Sequence, residues 1–381
     1  MLSPLFSRPL QRIGGLGLLI LLPLLWGCGT EPGPDLGAWT LTTDELTLTK
    51  DLQVSETEHY FFGDIQDLDV TSEGRIVALD AEAHHVKVLR PDGSLIDTLG
   101  RRGRGPGEFQ RPTNVVVARG DSIYVFDNQV NRLTVFSPLP APKQVRSMTI
   151  TSAVGSVTEV RALDGQWVGR FTPGYTRTEG MRRPQSATWR RIHETGSPGD
   201  TLLISKRRRL TTSFDGPGIV IAYLPFTRVT RTVPGPDNRL YHGFTDSLHI
   251  QSTSLHGARE TVAAIPGPPV PIPEAERDSA MGEIPETVRG QVAKALPNTK
   301  PAFTDLVAAD DGRLWVKRPT ETAEAEAAAW WILTPASQTI QEVRLPSEVG
   351  IEVVQNGMAY GTTTTEAGAP AVVRYRTQTG E

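Results

Sequence analysis

The feature that most constrains this chain is a unit of four short alternating strands that recurs along it. Asp67-Leu68-Asp69-Val70, Gly74-Arg75-Ile76-Val77-Ala78-Leu79-Asp80, Val86-Lys87-Val88-Leu89 and Leu95-Ile96-Asp97-Thr98-Leu99 are alternating runs separated by turn residues. The next segment repeats the layout with Thr113 to Ala118, Ile123 to Asp127, Arg132 to Phe136 and Gln144 to Thr149. Further second strands read at Trp167-Val168-Gly169, Leu240-Tyr241-His242, Leu314-Trp315-Val316 and Met358-Ala359-Tyr360.

Counted from Ile76, these second strands recur at intervals of 47, 44, 73, 74 and 44 residues, against roughly 40 to 50 per blade in propeller repeats. The pattern predicts an all-β chain: a six-bladed β-propeller of four-stranded antiparallel blades, two of them carrying insertions. The last blade runs out of chain after Val372-Val373-Arg374-Tyr375 with three strands, while an unassigned strand lies between Trp39 and Leu48. Pairing the two closes the ring and removes its exposed edges.

The segment before that strand has the character of an export signal. Arg8 and Arg12 precede an apolar stretch from Ile13 to Trp26, too short for a comfortable membrane span and weakened by Pro23. It ends in Leu25-Trp26-Gly27-Cys28, which resembles a bacterial lipobox, and Cys28 is the only cysteine. The expected organisation is a lipoprotein signal peptide over 1–27, a tether over 28–38 beginning at lipidated Cys28, and the propeller over 39–381. Gly29 in place of a retention Asp favours the outer membrane of a Gram-negative host. One cysteine excludes an internal disulfide framework. The net charge of −4 gives no basic balance for nucleic acid.

In an up-and-down blade, the connection between strands two and three and the connection to the next blade emerge on one face. The long segments fall there: Gly100 to Pro112, Thr172 to Ala187, Lys206 to Pro225, Pro266 to Phe303 and Arg318 to Ala328. That face and the channel mouth are the expected binding surface. Its loops carry Arg101, Arg102, Arg104, Arg182, Arg183, Arg207, Arg208 and Arg209, which point to an anionic glycan, an acidic peptide or an envelope protein as partner. Within about 266–303, two stretches starting near Pro273 and Pro285 read as short helices, a small insertion over the same face.

Catalytic motifs are not legible. The loop with Gly103, Gly105 and Gly107 runs into a strand rather than a helix, so an inter-blade connection is favoured over a phosphate cradle. Asp80, Asp127 and Asn131 sit where turns are capped by side-chain acceptors. The seven histidines lack zinc-motif spacing, the pair His84-His85 reads as an exposed turn, and no Gly-x-Ser-x-Gly elbow occurs. No metal or other cofactor is expected. The inner strands offer Asp69, Asn114, Glu159, Arg161, Arg228, Arg231, Asp305 and Glu352, a mixed set rich in cations.

Gly100 to Phe109, Pro112, Ile123 to Asp127, Asn131-Arg132 and Val135-Phe136 together resemble NHL-type repeats and the TolB-like six-bladed propeller lipoproteins of bacteria. The resemblance spans residues 64–137 and fades to pattern in the other four blades. It implies the fold; the tether, the propeller and the lack of a legible catalytic set point to a monomeric, envelope-anchored binding or scaffold module in preference to an enzyme. The alternative it leaves open is a metal-dependent channel-mouth lyase or hydrolase, as in other six-bladed propellers that hold a divalent metal among inward-facing groups.

Overall fold

The computed structural model describes residues 39–42, 46–151, 153–174, 186–206, 210–213, 219–267 and 269–379. Six blades follow one another along the chain, with a two-stranded antiparallel hairpin, Leu210–Ser213 and Ile219–Ala222, between blades 3 and 4. Blade 1 is Ile65–Val70, Ile76–Asp80, His85–Leu89 and Leu95–Leu99; blade 2 is Pro112–Val117, Ile123–Asp127, Arg132–Phe136 and Gln144–Thr149. Blade 3 is Ser156–Leu163, Gln166–Thr172, Ser186–Ile192 and Pro198–Lys206; blade 4 is Thr230–Pro234, Arg239–Phe244, Leu248–Ser254 and Arg259–Ile265. Blade 5 is Asp305–Ala308, Leu314–Lys317, Ala327–Thr334 and Thr339–Pro346; blade 6 is Gly350–Gln355, Met358–Thr364 and Pro370–Thr379. All six predicted second strands stand in that place.

The first strand of each blade touches the first strand of the next, and that of blade 6 touches that of blade 1, so the first strands line a central channel. Ring closure is by an N-terminal strand, but not over the expected residues. Leu46–Val54 is the fourth strand of blade 6, paired antiparallel with Pro370–Thr379, while Thr40–Leu41 adds in parallel to the outer strand of blade 5. A register shift between Lys50 and Leu52 breaks the alternation. Asp51, at this irregularity, pairs with Arg374 at 2.8 Å.

Blades pack face to face, so middle strands are covered on both sides. That is why Ile76–Asp80 is buried at every position rather than at every second one. Between blades 1 and 2 the core joins Val77, Leu79, Val86 and Val88 to Val115, Ile123, Val125 and Phe136. Trp189, Trp315 and Trp330 fill the corresponding space in blades 3 and 5. Phe109, fully buried, closes the loop ahead of blade 2, and a side chain at Gly100 would collide with its ring.

Between blades 4 and 5 the chain forms helices α1, Glu274–Gly282, and α2, Glu286–Ala295. Val288 and Val292 of α2, with Ile284, pack on Ala222 and Leu224. The segment is tied down by Lys300, which pairs with Glu276 at 2.5 Å and donates to the Thr320 carbonyl at 3.0 Å. Arg228, expected in the channel, instead donates to the Thr299 hydroxyl and the Lys300 carbonyl.

Candidate functional site

Strand-end aspartates are the first group of predicted residues to place. Asp127 ends the second strand of blade 2 and is fully buried. Its carboxylate accepts the backbone N–H of Gln110 and Arg111 on the incoming connection, and of Gln129 and Val130 in the turn that follows. Asn131 completes that turn with φ +49°. Asp80 holds the same position in blade 1, accepting from Gly63, Asp64 and Ala83 and from Lys87 Nζ at 2.6 Å. Its burial opposes ionisation, but the Lys87 bond, the backbone bonds and the Lys87 charge together hold its carboxyl below the usual range. These aspartates fasten each connection to its blade. His85 is not in an exposed turn: it opens the third strand of blade 1, half-buried, 2.8 Å from Lys87 Nζ.

The glycine-rich loop folds around its own Glu108. That carboxylate accepts the Gly105 N–H at 2.8 Å and pairs with Arg101 at 2.8 Å, so an internal anion occupies what a phosphate would use. Arg102 and Arg104 are exposed on the same loop. Cys28, Arg182, Arg183, Arg207, Arg208 and Arg209 lie outside the described residues.

The main cavity, about 850 Å³, occupies the channel, within the range of small-molecule pockets. One mouth is formed by the hairpin turns between first and second strands: Ala118 and Arg119 of blade 2, Asp164 and Gly165 of blade 3, Gly235, Pro236 and Asn238 of blade 4, and Asp310 of blade 5. The lining reaches the hairpin-turn face, and among the described residues none of the long loops of the other face contributes to it. Neighbouring turns are laced together around this mouth. Ser72 bonds Asp121 at 2.6 Å, the Asp164 N–H bonds Asn238 at 3.0 Å, the Asn356 N–H bonds Asp310 at 2.8 Å, and Gln355 bonds the Thr71 carbonyl at 3.0 Å. Between blades 2 and 3 the lining continues over Tyr124 and Trp167, ring centroids 4.5 Å apart, beside Arg146.

Inside, period-2 alternation aims side chains from the first strands into the channel. Asp67 of blade 1 accepts the Val115 N–H at 2.9 Å and the Asn114 amide at 3.2 Å, both from blade 2. It also meets Arg161 of blade 3 at 3.5 Å. Arg161 pairs with Glu159 at 3.1 Å. Burial alone would favour loss of its proton, but the carboxylates of Asp67, Glu159, Asp69 and Glu352 outweigh that and hold the guanidinium charged. Asp69 accepts backbone N–H groups from Val117 at 2.7 Å and Val70 at 2.8 Å. Burial, with the Asp67 charge adding to it, nonetheless pushes Asp69 up to about 7. Burial and Asp67 likewise push Glu352 of blade 6 up to about 8, against the Thr362 hydroxyl bond at 3.0 Å, the Arg161 charge and the Leu68 backbone. On the opposite wall Arg231 pairs with Asp305 at 3.3 Å.

Of the expected inner-strand residues, the structure therefore gathers Asp69, Asn114, Glu159, Arg161 and Glu352 at one wall and Arg231 with Asp305 at the other. Asp67, hub of the first group, was not singled out from sequence. The signal was available: Asp67 and Asp69 share one face of one strand. Among the described residues no three His, Cys, Asp or Glu side chains are placed together to hold a metal ion; the positive charge among these carboxylates is Arg161.

A family model described as a 6-bladed beta-propeller matches residues 52–139. A comparison with curated proteins found no match. Among solved structures, a Bacteroides fragilis protein described as a candidate exported protein superposes with a TM-score of 0.54 at 9% identity, over 90% of this chain and 99% of that one. A DUF4221 family member from Bacteroides vulgatus gives 0.48 at 9% identity, over 89% and 100% of the two chains. A virginiamycin B lyase from Staphylococcus aureus gives 0.42 at 11% identity, over 86% and 99%. Such identities speak to fold alone, and on fold the family match, the sheet order and the ring of first strands agree: the chain is a six-bladed β-propeller.

Proposed function

We propose that this propeller is an exported binding module, tethered to the envelope through Cys28, whose ligand enters the channel from the hairpin-turn face. The observation that carries the reading is the cavity of about 850 Å³ walled by fixed polar groups and collared by cross-linked turns. Such a collar presents a preformed site, which reduces the ordering cost of binding. A metal-dependent lyase or hydrolase is the less favoured reading, because Arg161 stands among the carboxylates where a divalent ion would compete with it.

A second contact is proposed for the opposite face, where Arg102 and Arg104 are exposed on a loop that Glu108 pins. An anionic glycan or acidic peptide held there would bind less tightly as salt is added, since exposed charges are screened over about 10 Å at 0.1 M.

The deciding experiment screens envelope glycans, acidic peptides and small charged molecules by tryptophan fluorescence, with Trp167 at the cavity rim. A channel ligand loses binding in Ala118→Trp, which narrows the mouth, and keeps it when Arg102 and Arg104 are reversed to Glu. The converse result transfers the site to the loop face. Replacing Cys28 with Ser should release the protein from the membrane fraction; retention there would refute the tether.

A further inference from the structure

Two kinds of side chain line the cavity with no partner from the protein. Arg119, Arg146 and Arg170 all border it, and among the described residues none of the three has a hydrogen bond or ion pair through its guanidinium. The other guanidiniums of the lining are engaged, Arg161 by Glu159 and Asp67 and Arg231 by Asp305. The second kind is the ring pair Tyr124 and Trp167, half-buried at the cavity, whereas Trp189, Trp315 and Trp330 are fully buried. Among the described residues neither the Tyr124 hydroxyl nor the Trp167 N–H has a hydrogen-bond partner. Both kinds meet where blade 2 faces blade 3. Tyr124 and Arg146 each stand opposite Val135 in the strand between them, so the pleat sends both side chains to one face of blade 2. That face meets blade 3, because the Tyr124 and Trp167 ring centroids lie 4.5 Å apart. Arg119 comes from the turn ahead of Tyr124, and Asp164 from the turn ahead of Trp167; both line the cavity.

Resting on the channel reading above, we infer that this junction seats an acidic sugar, its pyranose ring against Tyr124 and Trp167 and its carboxylate on Arg146 and Arg119. A pyranose ring presents C–H groups that pack on aromatic faces by dispersion. Its hydroxyls both donate and accept hydrogen bonds, and the junction supplies both roles, with the Tyr124 hydroxyl and the Trp167 N–H to donate and the Asp164 carboxylate to accept. The acid group goes to the arginines because a guanidinium fork matches two carboxylate oxygens, and an unpaired fork gives up no protein partner in exchange. It is turned away from the blade 1 wall, where Asp67, Asp69, Glu159 and Glu352 surround Arg161.

The test is calorimetric titration of the full chain with the trimers of galacturonate and of glucuronate, with their methyl esters, and with tricarballylate. The acids carry ring and charge, the esters the ring alone, and tricarballylate the charge alone. At least one acid trimer is expected to bind about tenfold or more tighter than its ester and than tricarballylate, with the advantage over the ester shrinking as salt is added. Arg146→Gln should remove most of that advantage while leaving the ester's affinity and the melting temperature unchanged, since Arg146 is exposed and unpaired. Trp167→Leu should weaken acid and ester alike, by about tenfold. Absence of binding by both acids, equal affinity of acid and ester, or an acid affinity unchanged in Arg146→Gln or in Trp167→Leu would each overturn the assignment. Tightest binding by tricarballylate that is lost in Ala118→Trp would overturn it while leaving the channel reading standing. Acid binding that survives Ala118→Trp and is lost when Arg102 and Arg104 are reversed to Glu would sink both.

Discussion

Asp80 and Asp127 at the strand ends of blades 1 and 2, and Asp69 and Glu352 in the channel, are all carboxylates withdrawn from bulk water, and they reach opposite states. Asp80 is held below the ordinary range, while burial pushes Asp69 and Glu352 up to about 7 and about 8. Desolvation is the largest cause of the rise in the channel pair, and the donors differ as well. Asp80 receives three backbone N–H groups and a lysine at 2.6 Å, whereas Asp69 has two backbone N–H groups, Glu352 has the Thr362 hydroxyl and the Leu68 backbone, and both share one arginine with Asp67 and Glu159. Burial raises the stakes for a carboxylate, and its partners decide the outcome. The first pair is answered by its donors and serves structure; in the second, burial outweighs the donors.

The sharpest way to break this contrast is Asp127→Ala, which strands the Gln110, Arg111 and Gln129 N–H groups. It should cost about 5 kcal/mol, since bonds to charged acceptors contribute about 1.5–3 kcal/mol each and add imperfectly. A denaturant midpoint near wild type would mean the connection is held by packing at Phe109 instead. Next is Lys87→Met, which leaves Asp80 charged and buried; removal of one buried partner typically costs about 3–5 kcal/mol.

The channel pair should show the reverse sign. Their folded pKa values lie above those of the unfolded chain, so the native state binds more protons and stability declines as pH rises from about 4 to about 8. Asp69→Asn combined with Glu352→Gln should flatten the fall in melting temperature between pH 5 and 9, a gain of about 1–2 kcal/mol at the alkaline end. If the two pH profiles run parallel, these carboxyls are not the titrating groups. The smallest effect is expected in blade 4, where a hydroxyl takes the place of the aspartate: Thr245 accepts the Val229 N–H at 3.0 Å. Thr245→Val should cost about 1 kcal/mol, the value of one neutral hydrogen bond, and chemical unfolding will show whether it stays well below Asp127→Ala.

This substitution of fasteners also explains what could be read in advance. Blades 1 and 2 announce themselves because Asp80 and Asp127 recur at matching places, and the family match covers that region, residues 52–139. Blade 4 uses Thr245 and blade 5 uses Arg318 on the Ala302 carbonyl, so the architecture persists while the residue signature fades. Second strands were legible throughout because burial on both faces demands an apolar run. The closing strand was misplaced because Asp51 interrupts its alternation at a register shift where it pairs with Arg374. In the channel, strand counting sufficed to bring Asp69, Glu159, Arg161 and Glu352 inward. It missed Asp67 as their hub and the part that the short hairpin turns play in the lining. Loop length reports where the chain is elaborated, not where a channel is left clear, and the short turns at the mouth carry no compositional mark.

Closure by Leu46–Val54 has a temporal consequence. Asp51 and Arg374 are 323 residues apart, so the strand that completes blade 6 has no partner until nearly the whole chain exists. Contacts of such long sequence separation form slowly, and a chain emerging from the ribosome at about 5–20 residues per second spends many seconds with its ring open.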